Sequence, residues 1–426
     1  MEYSHPDVET LSREGLDRLQ RRKLDEMLQI VRASNAFYIR KLAGIGFDPL
    51  VDPLERLPFT SRQELQFDQG EHPPYGSNLT FPPDQYIRLH QTSASSGATP
   101  LRWLDTAQSW DWFYECWRMT YHAAGVQSGD RVLFPFSFGP FIGFWAAFES
   151  AARMGCLTIA GGGLSTTARL NMIVDNAVTV IGCTPTYALR MAETARAQGL
   201  DLAVSAVRVL IVAGEPGGCI PATRSRMESE WNARVFDHTG MTEIGSCSFE
   251  CQESPGGVHI IESEFIPEVV DPDSGATVPD GTLGELVLTN LGRIGSPLIR
   301  YRTGDQVRML RERCACGRWF ARLEGGILGR TDDMLLIRGN NIFPAAIEEV
   351  VRGFPVDEFR MVAGREASLT DLRIEIEPSG RQDALAVAQQ VCDGIRNRFH
   401  FRPTVVPVDP GTLPRYEMKS RRLIRE

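Results

Sequence analysis

No stretch of this 426-residue chain is apolar for long enough to cross a bilayer; runs such as Val207-Arg-Val-Leu-Ile-Val-Ala213 are far too short. Positive charge is also in deficit. The 45 Lys and Arg stand against 54 Asp and Glu, a net charge of −9. That balance argues against a nucleic-acid surface and for a small-molecule enzyme. The start, Met1-Glu-Tyr-Ser-His-Pro6, lacks a basic region followed by an apolar run, so no signal peptide is expected. Cysteine is odd in number, nine in all, and mostly scattered along the chain. Cys116, Cys156, Cys183, Cys219 and Cys392 read as plain buried thiols. The set fits a reducing cytoplasm better than a disulfide framework. Asn78-Leu-Thr80 matches a glycosylation acceptor, which carries no weight without secretion.

What is present is ordinary in bulk, with 42% apolar and 23% charged residues. The length suits two or three domains. Residues 10–45 read as helix, because Leu16, Leu19, Leu24, Leu28 and Ile30 recur at helical spacing. Pro49, Pro53 and Pro58 then break the chain, and Thr60-Ser-Arg-Gln-Glu64 is a helix-start signal. From 107 to 240, short apolar strands (131–134, 156–160, 178–181, 207–212 and 233–236) alternate with helices (107–124, 141–153, 166–177, 184–198 and 221–231). That alternation predicts a mainly parallel sheet covered by helices, with ligands at the carboxyl ends of its strands. Gly161-Gly-Gly163, Cys183-Thr-Pro185, Ala213-Gly-Glu-Pro-Gly217 and His238-Thr-Gly240 lie at those ends. Residues 257–310 carry turn signals between alternating strands and predict a distorted antiparallel barrel. After Asp332 the order strand, helix, strand, strand, helix, strand predicts a small α+β unit. The expected fold is therefore α/β: a large domain over 1–331 with a parallel sheet plus a barrel, and a small C-terminal domain over 332–426.

Several blocks carry chemistry. Gln91-Thr-Ser-Ala-Ser-Ser-Gly-Ala-Thr-Pro100 is a hydroxyl-rich loop whose backbone N–H groups and hydroxyls can wrap a polyphosphate. Asp237-His-Thr-Gly-Met-Thr-Glu-Ile-Gly245 follows a predicted strand and sets a carboxylate beside a hydroxyl, which suits Mg²⁺ held against phosphate. Phe136, Phe138 and Phe141 can line a flat apolar pocket or simply pack at a strand–helix corner. Cys251, His259 and Cys314-Ala-Cys316 can make a tetrahedral zinc site, with Cys247 an alternative to Cys251. Having four protein ligands, such a site is expected to be structural.

Tyr301-Arg-Thr-Gly-Asp305, Gly329-Arg-Thr-Asp-Asp333, Thr239-Gly-Met-Thr-Glu243 and the late Lys419 together resemble the adenylate-forming enzymes: acyl-CoA synthetases, adenylation domains and luciferases. Pro58-Phe-Thr-Ser-Arg-Gln-Glu-Leu65, Arg88-Leu-His90, Phe136-Ser-Phe-Gly-Pro-Phe-Ile-Gly143, Cys183-Thr-Pro-Thr-Tyr-Ala-Leu189 and Gly339-Asn-Asn-Ile-Phe-Pro344 are similar to phenylacetate–CoA ligases, nearly end to end. Some of those ligases also carry the Cys/His and Cys-x-Cys arrangement. The resemblance implies an ATP-dependent ligase that makes an acyl-AMP from an aromatic or arylacetic acid and passes the acyl group to CoA.

By resemblance, Lys419, Thr242 and Glu243 are catalytic, and Glu243 holds Mg²⁺. The nucleotide contacts implied are Thr92, Ser93, Ser95, Ser96 and Gly97; Gly214, Glu215 and Pro216; Asp237 to Thr242 (Asp237, His238, Thr239, Gly240, Met241, Thr242); and Asp305 with Arg330. Phe136, Phe138, Gly139, Phe141, Ala213 and Gly214 would line the acid pocket, and Asp332 would be the hinge. The sequence departs from the family pattern at Ala94 and at Thr239, where a glycine and an aromatic residue are common. Three other functions stay open: transfer to a carrier-protein thiol or an amine, a non-catalytic nucleotide binder, and a zinc hydrolase. Expected partners are a small aromatic acid and CoA or a carrier thiol, with a homodimer left open and neither nucleic acid nor membrane.

Overall fold

The structure is a computed structural model that describes residues 3–92, 99–136, 138–140, 142–143, 145–337, 340–366, 369–380, 382–416 and 419–425. The predicted N-terminal helix is two helices, Arg13–Ser34 and Ala36–Lys41. Asn35 divides them: extended at φ −86° and ψ 105°, it caps the second helix by accepting from the Tyr38 N–H.

Five parallel strands follow as the alternation predicts: Arg131–Phe134, Leu157–Ala160, Val180–Cys183, Val209–Ala213 and Arg234–His238. In chain order they lie 2-1-3-4-5 across the sheet. The order reverses between Arg131–Phe134 and Val180–Cys183, which makes that crevice the place for a ligand. One face of the sheet, with Val132, Phe134, Val180 and Ile211, packs in the main core beneath helix Ala107–Ala123. The other face, with Leu133, Ile181, Leu210 and Val212, packs in a second core.

The antiparallel region is a seven-stranded sheet running from Ser248–Phe249 at one end to Phe265–Val270 at the other. Its path is open, so no strand pairing closes it into a barrel among the described residues. Tyr86–Gln91 and Arg102–Thr106 form a separate antiparallel pair whose connection holds the hydroxyl-rich loop. Ser93, Ser95, Ser96 and Gly97 of that loop lie outside the described residues, as does Phe141.

The C-terminal unit has its own core. Helices Pro344–Arg352 and Ala384–Phe399 accompany a four-stranded sheet ordered Thr404–Pro407, Leu369–Pro378, Val356–Glu366, Leu423–Arg425. The last strand was not expected. Leu423–Arg425 pairs in parallel with Val356–Glu366, so the chain end is anchored a few residues beyond Lys419. Buried Arg422 strengthens the anchor through Glu358, with Nε to Oε1 at 2.7 Å. No helix among the described residues is long and apolar enough to cross a membrane.

Candidate active site

Asp305 sits in strand Tyr301–Leu310, just after Gly304. Gly304 adopts φ +76°, and a Cβ there would stand 3.0 Å from Nη2 of Arg330, so both backbone and space call for glycine. Arg330 packs over the turn and donates from Nη1 to Oδ1 of Asp305 at 3.1 Å. Burial, with Glu243 nearby, raises the Asp305 pKa to about 6 against the opposing pull of Arg330 and Lys419. An ionised Asp305 is acceptor-only, the group needed to take two hydroxyl hydrogens at once.

Glu243 is buried across the cleft. Its Oε1 accepts the Tyr301 hydroxyl at 2.8 Å, and Nη1 of Arg62 stands 3.8 Å away. Burial and Glu243 push the Tyr301 phenol well above its ordinary value, which keeps it a donor. Arg62 also donates from Nη2 to Oγ1 of Thr92 at 3.1 Å, tying the root of the hydroxyl-rich loop to Glu243. The backbone carrying Thr242 and Glu243 is held from below. Arg293 Nη1 donates to the Thr242 carbonyl at 2.7 Å and the Glu243 carbonyl at 2.9 Å. Its Nε and Nη2 grip both oxygens of Asp105 at 2.7 Å, and both side chains are 0% exposed.

Lys419 reaches this cleft from the small unit. Its Cε lies 3.4 Å from where a Cβ of Gly214 would be, and Gly214 needs no Cβ at φ +96°. Glu215 fastens the tail in place. Its Oε2 accepts from the Ser420 N–H at 2.6 Å and hydroxyl at 2.7 Å, while Oε1 accepts the Thr186 N–H at 2.9 Å. Both Glu215 oxygens are thus engaged by protein. Nearby, Arg422 reaches Thr186 at 3.2 Å and Arg415 reaches Glu193 at 3.2 Å.

The other residues named from the sequence have the following surroundings. Asp237 is buried against Gly218 and beside Glu250 and Cys219; burial and Glu250 raise its pKa to about 7. Thr239 shares its hydroxyl hydrogen with Ser248 Oγ at 2.6 Å. Gly240 and Met241 form a short strand paired with Gly245–Ser246. Phe136 and Phe138 join a ring cluster with Phe134, Trp145 and Phe148, and Gly139 accepts from Trp145 Nε1 at 3.2 Å. Ala213 ends its strand beside His238. Asp332 is exposed in a turn, where its carbonyl accepts from Arg425 at 2.8 Å and its carboxylate from Arg330 Nε at 2.9 Å. Sequence reading missed Arg62, Arg293 and Asp105; only Arg62 lay inside a noticed block, and there it read as part of a helix start.

The four residues Cys251, His259, Cys314 and Cys316 do meet, all ligand atoms lying within 4.8 Å of one another. Cys251 and Cys314 sulfurs are 3.8 Å apart, and Cys316 Sγ is 3.6 Å from His259 Nε2. Tetrahedral bonds of about 2.3 Å to sulfur and about 2.0 Å to nitrogen require nearly those separations. His259 Nδ1 donates to the Phe320 carbonyl at 2.9 Å, leaving Nε2 to ligate. The single-residue gap works because Gly317 at φ +84° folds the knuckle, its N–H returning to the Cys314 carbonyl at 2.9 Å. Cys247 instead faces Thr239, at 3.6 Å from its hydroxyl.

Comparison with known proteins bears on the whole chain. Residues 106–292 match the AMP-binding enzyme family, and residues 339–426 match the AMP-binding enzyme C-terminal domain. The phenylacetate-coenzyme A ligase of Thermus thermophilus is 34% identical over 446 residues, covering 98% of each chain. Among solved structures, 2-hydroxyisobutyryl-CoA ligase in the postadenylation state with 2-HIB-AMP superposes with a TM-score of 0.94 at 27% identity, covering 100% of this chain and 92% of the other. The same ligase in the thioesterification state, with 2-HIB-AMP and CoA, covers the same shares at the same identity but scores 0.75.

Proposed function

The chain belongs to the phenylacetate–coenzyme A ligases among the AMP-binding enzymes, and on that premise we propose that it activates an aromatic or arylacetic acid for transfer to CoA. The activity class is an ATP-dependent acid–CoA ligase acting through an acyl-AMP. The observation that carries the adenylating step is the meeting of Lys419, Gly214, Asp305 and Glu243 in one cleft, with the tail held there by Glu215, and the likeness to phenylacetate-coenzyme A ligases supports the aromatic acid.

In the first half-reaction a carboxylate oxygen of the acid attacks the α-phosphorus of ATP, and the bond to pyrophosphate breaks. Asp305 holds the ribose by accepting from its hydroxyls. Arg62 and Thr92 would face the phosphates, and the Lys419 ammonium stabilises negative charge as it develops. Glu243 fits a Mg²⁺ ion, since its one hydrogen bond is the Tyr301 hydroxyl on Oε1, Arg62 stands off at 3.8 Å, and no described residue donates to Oε2. With Thr242 beside it, that carboxylate would hold the ion, which neutralises phosphate charge when bound. In the second half-reaction the CoA thiol loses its proton and attacks the acyl carbon, and AMP leaves. The small unit turns about Asp332 between the two steps, breaking the Ser420–Glu215 bonds and withdrawing Lys419. The likeness to a postadenylation structure supports this arrangement as the one that serves the first step.

Pyrophosphate release with a panel of aryl and arylacetic acids, with and without CoA, tests the proposal. Acid-dependent release with a thioester formed only when CoA is present supports it. Transfer to an amine or a carrier protein in place of CoA, or no acid-dependent release, overturns it.

Asp305→Ala is expected to weaken ATP binding by about 1.5–3 kcal/mol with little change in acid binding, as read by calorimetry. The pH dependence follows from the same group. Its folded value is raised, so as pH rises through about 6 the free protein loses the stability that the protonated carboxyl contributes. ATP favours the ionised form, so its affinity should fall as pH drops through about 6.

The Cys251–His259–Cys314–Cys316 cluster is proposed as a closed structural zinc site. A site with all four positions filled by protein offers no place for a water nucleophile, which sets aside a zinc hydrolase. Cys314→Ser should lower bound metal and the melting temperature together, while the remaining folded protein keeps its ligase rate. Elemental analysis that finds no zinc in the wild-type protein removes the idea.

A further inference from the structure

The turn after strand Val209–Ala213 carries a carboxylate that the resemblance implies for the nucleotide and the structure engages otherwise. Gly214 turns the chain at φ +96°, and Glu215 reaches helix Pro185–Ala197. That helix opens on Thr184, whose hydroxyl accepts the Tyr187 N–H, and on Pro185. The next N–H, of Thr186, has no carbonyl within the helix to bond. It donates to Glu215 Oε1 at 2.9 Å, where the positive end of the helix favours a carboxylate. Glu215 is thus fixed from the side of its own large domain. Its other oxygen, Oε2, faces the small unit and accepts the Ser420 N–H at 2.6 Å and hydroxyl at 2.7 Å.

Thr186 completes the seat. Its hydroxyl accepts from Arg422 Nη1 at 3.2 Å, and the same Nη1 donates to Ser420 Oγ at 3.0 Å. Arg415 with Glu193 and Arg226 with Asp357 also join the two units, but neither pair involves a residue next to Lys419 in the chain. Ser420 directly follows Lys419, so the Glu215 contact governs where the lysine lies. Three of the carboxylate's roughly four lone-pair directions are filled by protein donors, and its charge repels phosphate.

We propose that Glu215 is a positioning residue for the adenylating step and not a nucleotide contact. It grips Ser420 so that Lys419 lies across Gly214, where negative charge develops. When the small unit turns, Glu215 releases Ser420 and stays with Thr186. The strength of the grip sets the fraction of molecules ready for adenylation, and a weaker grip trades adenylation for thioester formation. This rests on the ligase reading for the task of Lys419, and on geometry alone for the grip.

Glu215→Gln keeps the shape but sets an amide N–H against one of the donors that the carboxylate accepts. Adenylation from acid and ATP should lose about 10-fold or more in kcat, with KM for ATP little changed. Conversion of a supplied acyl-adenylate and CoA to the thioester should be unchanged or faster. Ser420→Ala keeps the N–H bond and should show a smaller loss of the same kind. The double variant should be no slower than Glu215→Gln alone, because the two residues act through one contact. A raised KM for ATP with kcat kept makes Glu215 a nucleotide contact and overturns the proposal. Equal losses in both half-reactions, or an unchanged adenylation rate, overturn it too. Trypsin gives a reading that needs no catalysis. Cleavage after Lys419 breaks the bond to the Ser420 nitrogen that Glu215 holds. In the free protein it should quicken about 10-fold in Glu215→Gln, relative to cleavage within the large domain. Faster cleavage with no pyrophosphate from any acid supports the grip and overturns the ligase reading. Cleavage at the wild-type rate overturns the grip, whatever the activity.

Discussion

Replacing Lys419 by alanine is expected to lower pyrophosphate formation from acid and ATP by about 100- to 1000-fold, the cost of removing one donor aimed at developing charge. The same protein should still convert a supplied acyl-adenylate and CoA to the thioester. Lys419 touches the cleft only while the tail lies across Gly214 and Ser420 is bonded to Glu215. Once those bonds break, its ammonium is no longer near the reacting atoms. A lysine that is merely a solvated tail charge predicts that both half-reactions survive. Damage to the fold predicts that both fail. Asp332→Pro should show the opposite selectivity, since a ring at the turn stiffens the chain after the acyl-AMP has formed. Equal losses in both steps for folded Lys419→Ala protein are incompatible with the rotation mechanism.

The second large effect lies beneath the cleft. Arg293→Met should destabilise the protein by about 3–5 kcal/mol in urea unfolding, because it leaves Asp105 charged and buried without its partner. Burial alone would raise the Asp105 carboxyl, yet Arg293 and His90 hold it below the ordinary carboxylate range. Stability from the pair is therefore present at neutral pH and lost as pH falls through the lowered folded value. Arg293→Met combined with Asp105→Leu should recover much of the stability, since no lone charge remains. Activity should stay low in the double variant, because the Thr242 and Glu243 carbonyls have still lost the donor that positions them. Full activity in a stable double variant would show that this backbone needs no such support.

The two kinds of site residue differ in how they can be read from sequence. Asp305, Arg330, Glu243 and Lys419 lie in short blocks whose order along the chain carries the information, and the fold brings them together. Arg293 and Asp105 are separated by 188 positions, and neither belongs to a local pattern. Their pairing is a property of the packed core alone. The acid pocket was legible only in outline. The phenylalanine-rich stretch offered a flat pocket wall or corner packing, and Phe136 and Phe138 sit in a cluster of neighbouring rings that is compatible with either. Periodicity gave the parallel sheet because its strands, the edge strand Leu157–Ala160 apart, are buried on both faces, and only their ends moved by one or two residues. It did not show that the antiparallel sheet stays open, since closure depends on pairings between distant strands. Nor did it find Leu423–Arg425, a three-residue strand held in place by its neighbour.

The acyl-AMP is the centre of the account, and oxygen tracing tests it most directly. An acid labelled with heavy oxygen in its carboxylate is turned over with ATP, Mg²⁺ and CoA, and the nucleotide product is examined by mass spectrometry. Attack of the carboxylate on the α-phosphorus predicts AMP carrying one heavy oxygen from the acid, with none in pyrophosphate. Unlabelled AMP, or heavy oxygen in released phosphate alongside ADP, would contradict the mechanism.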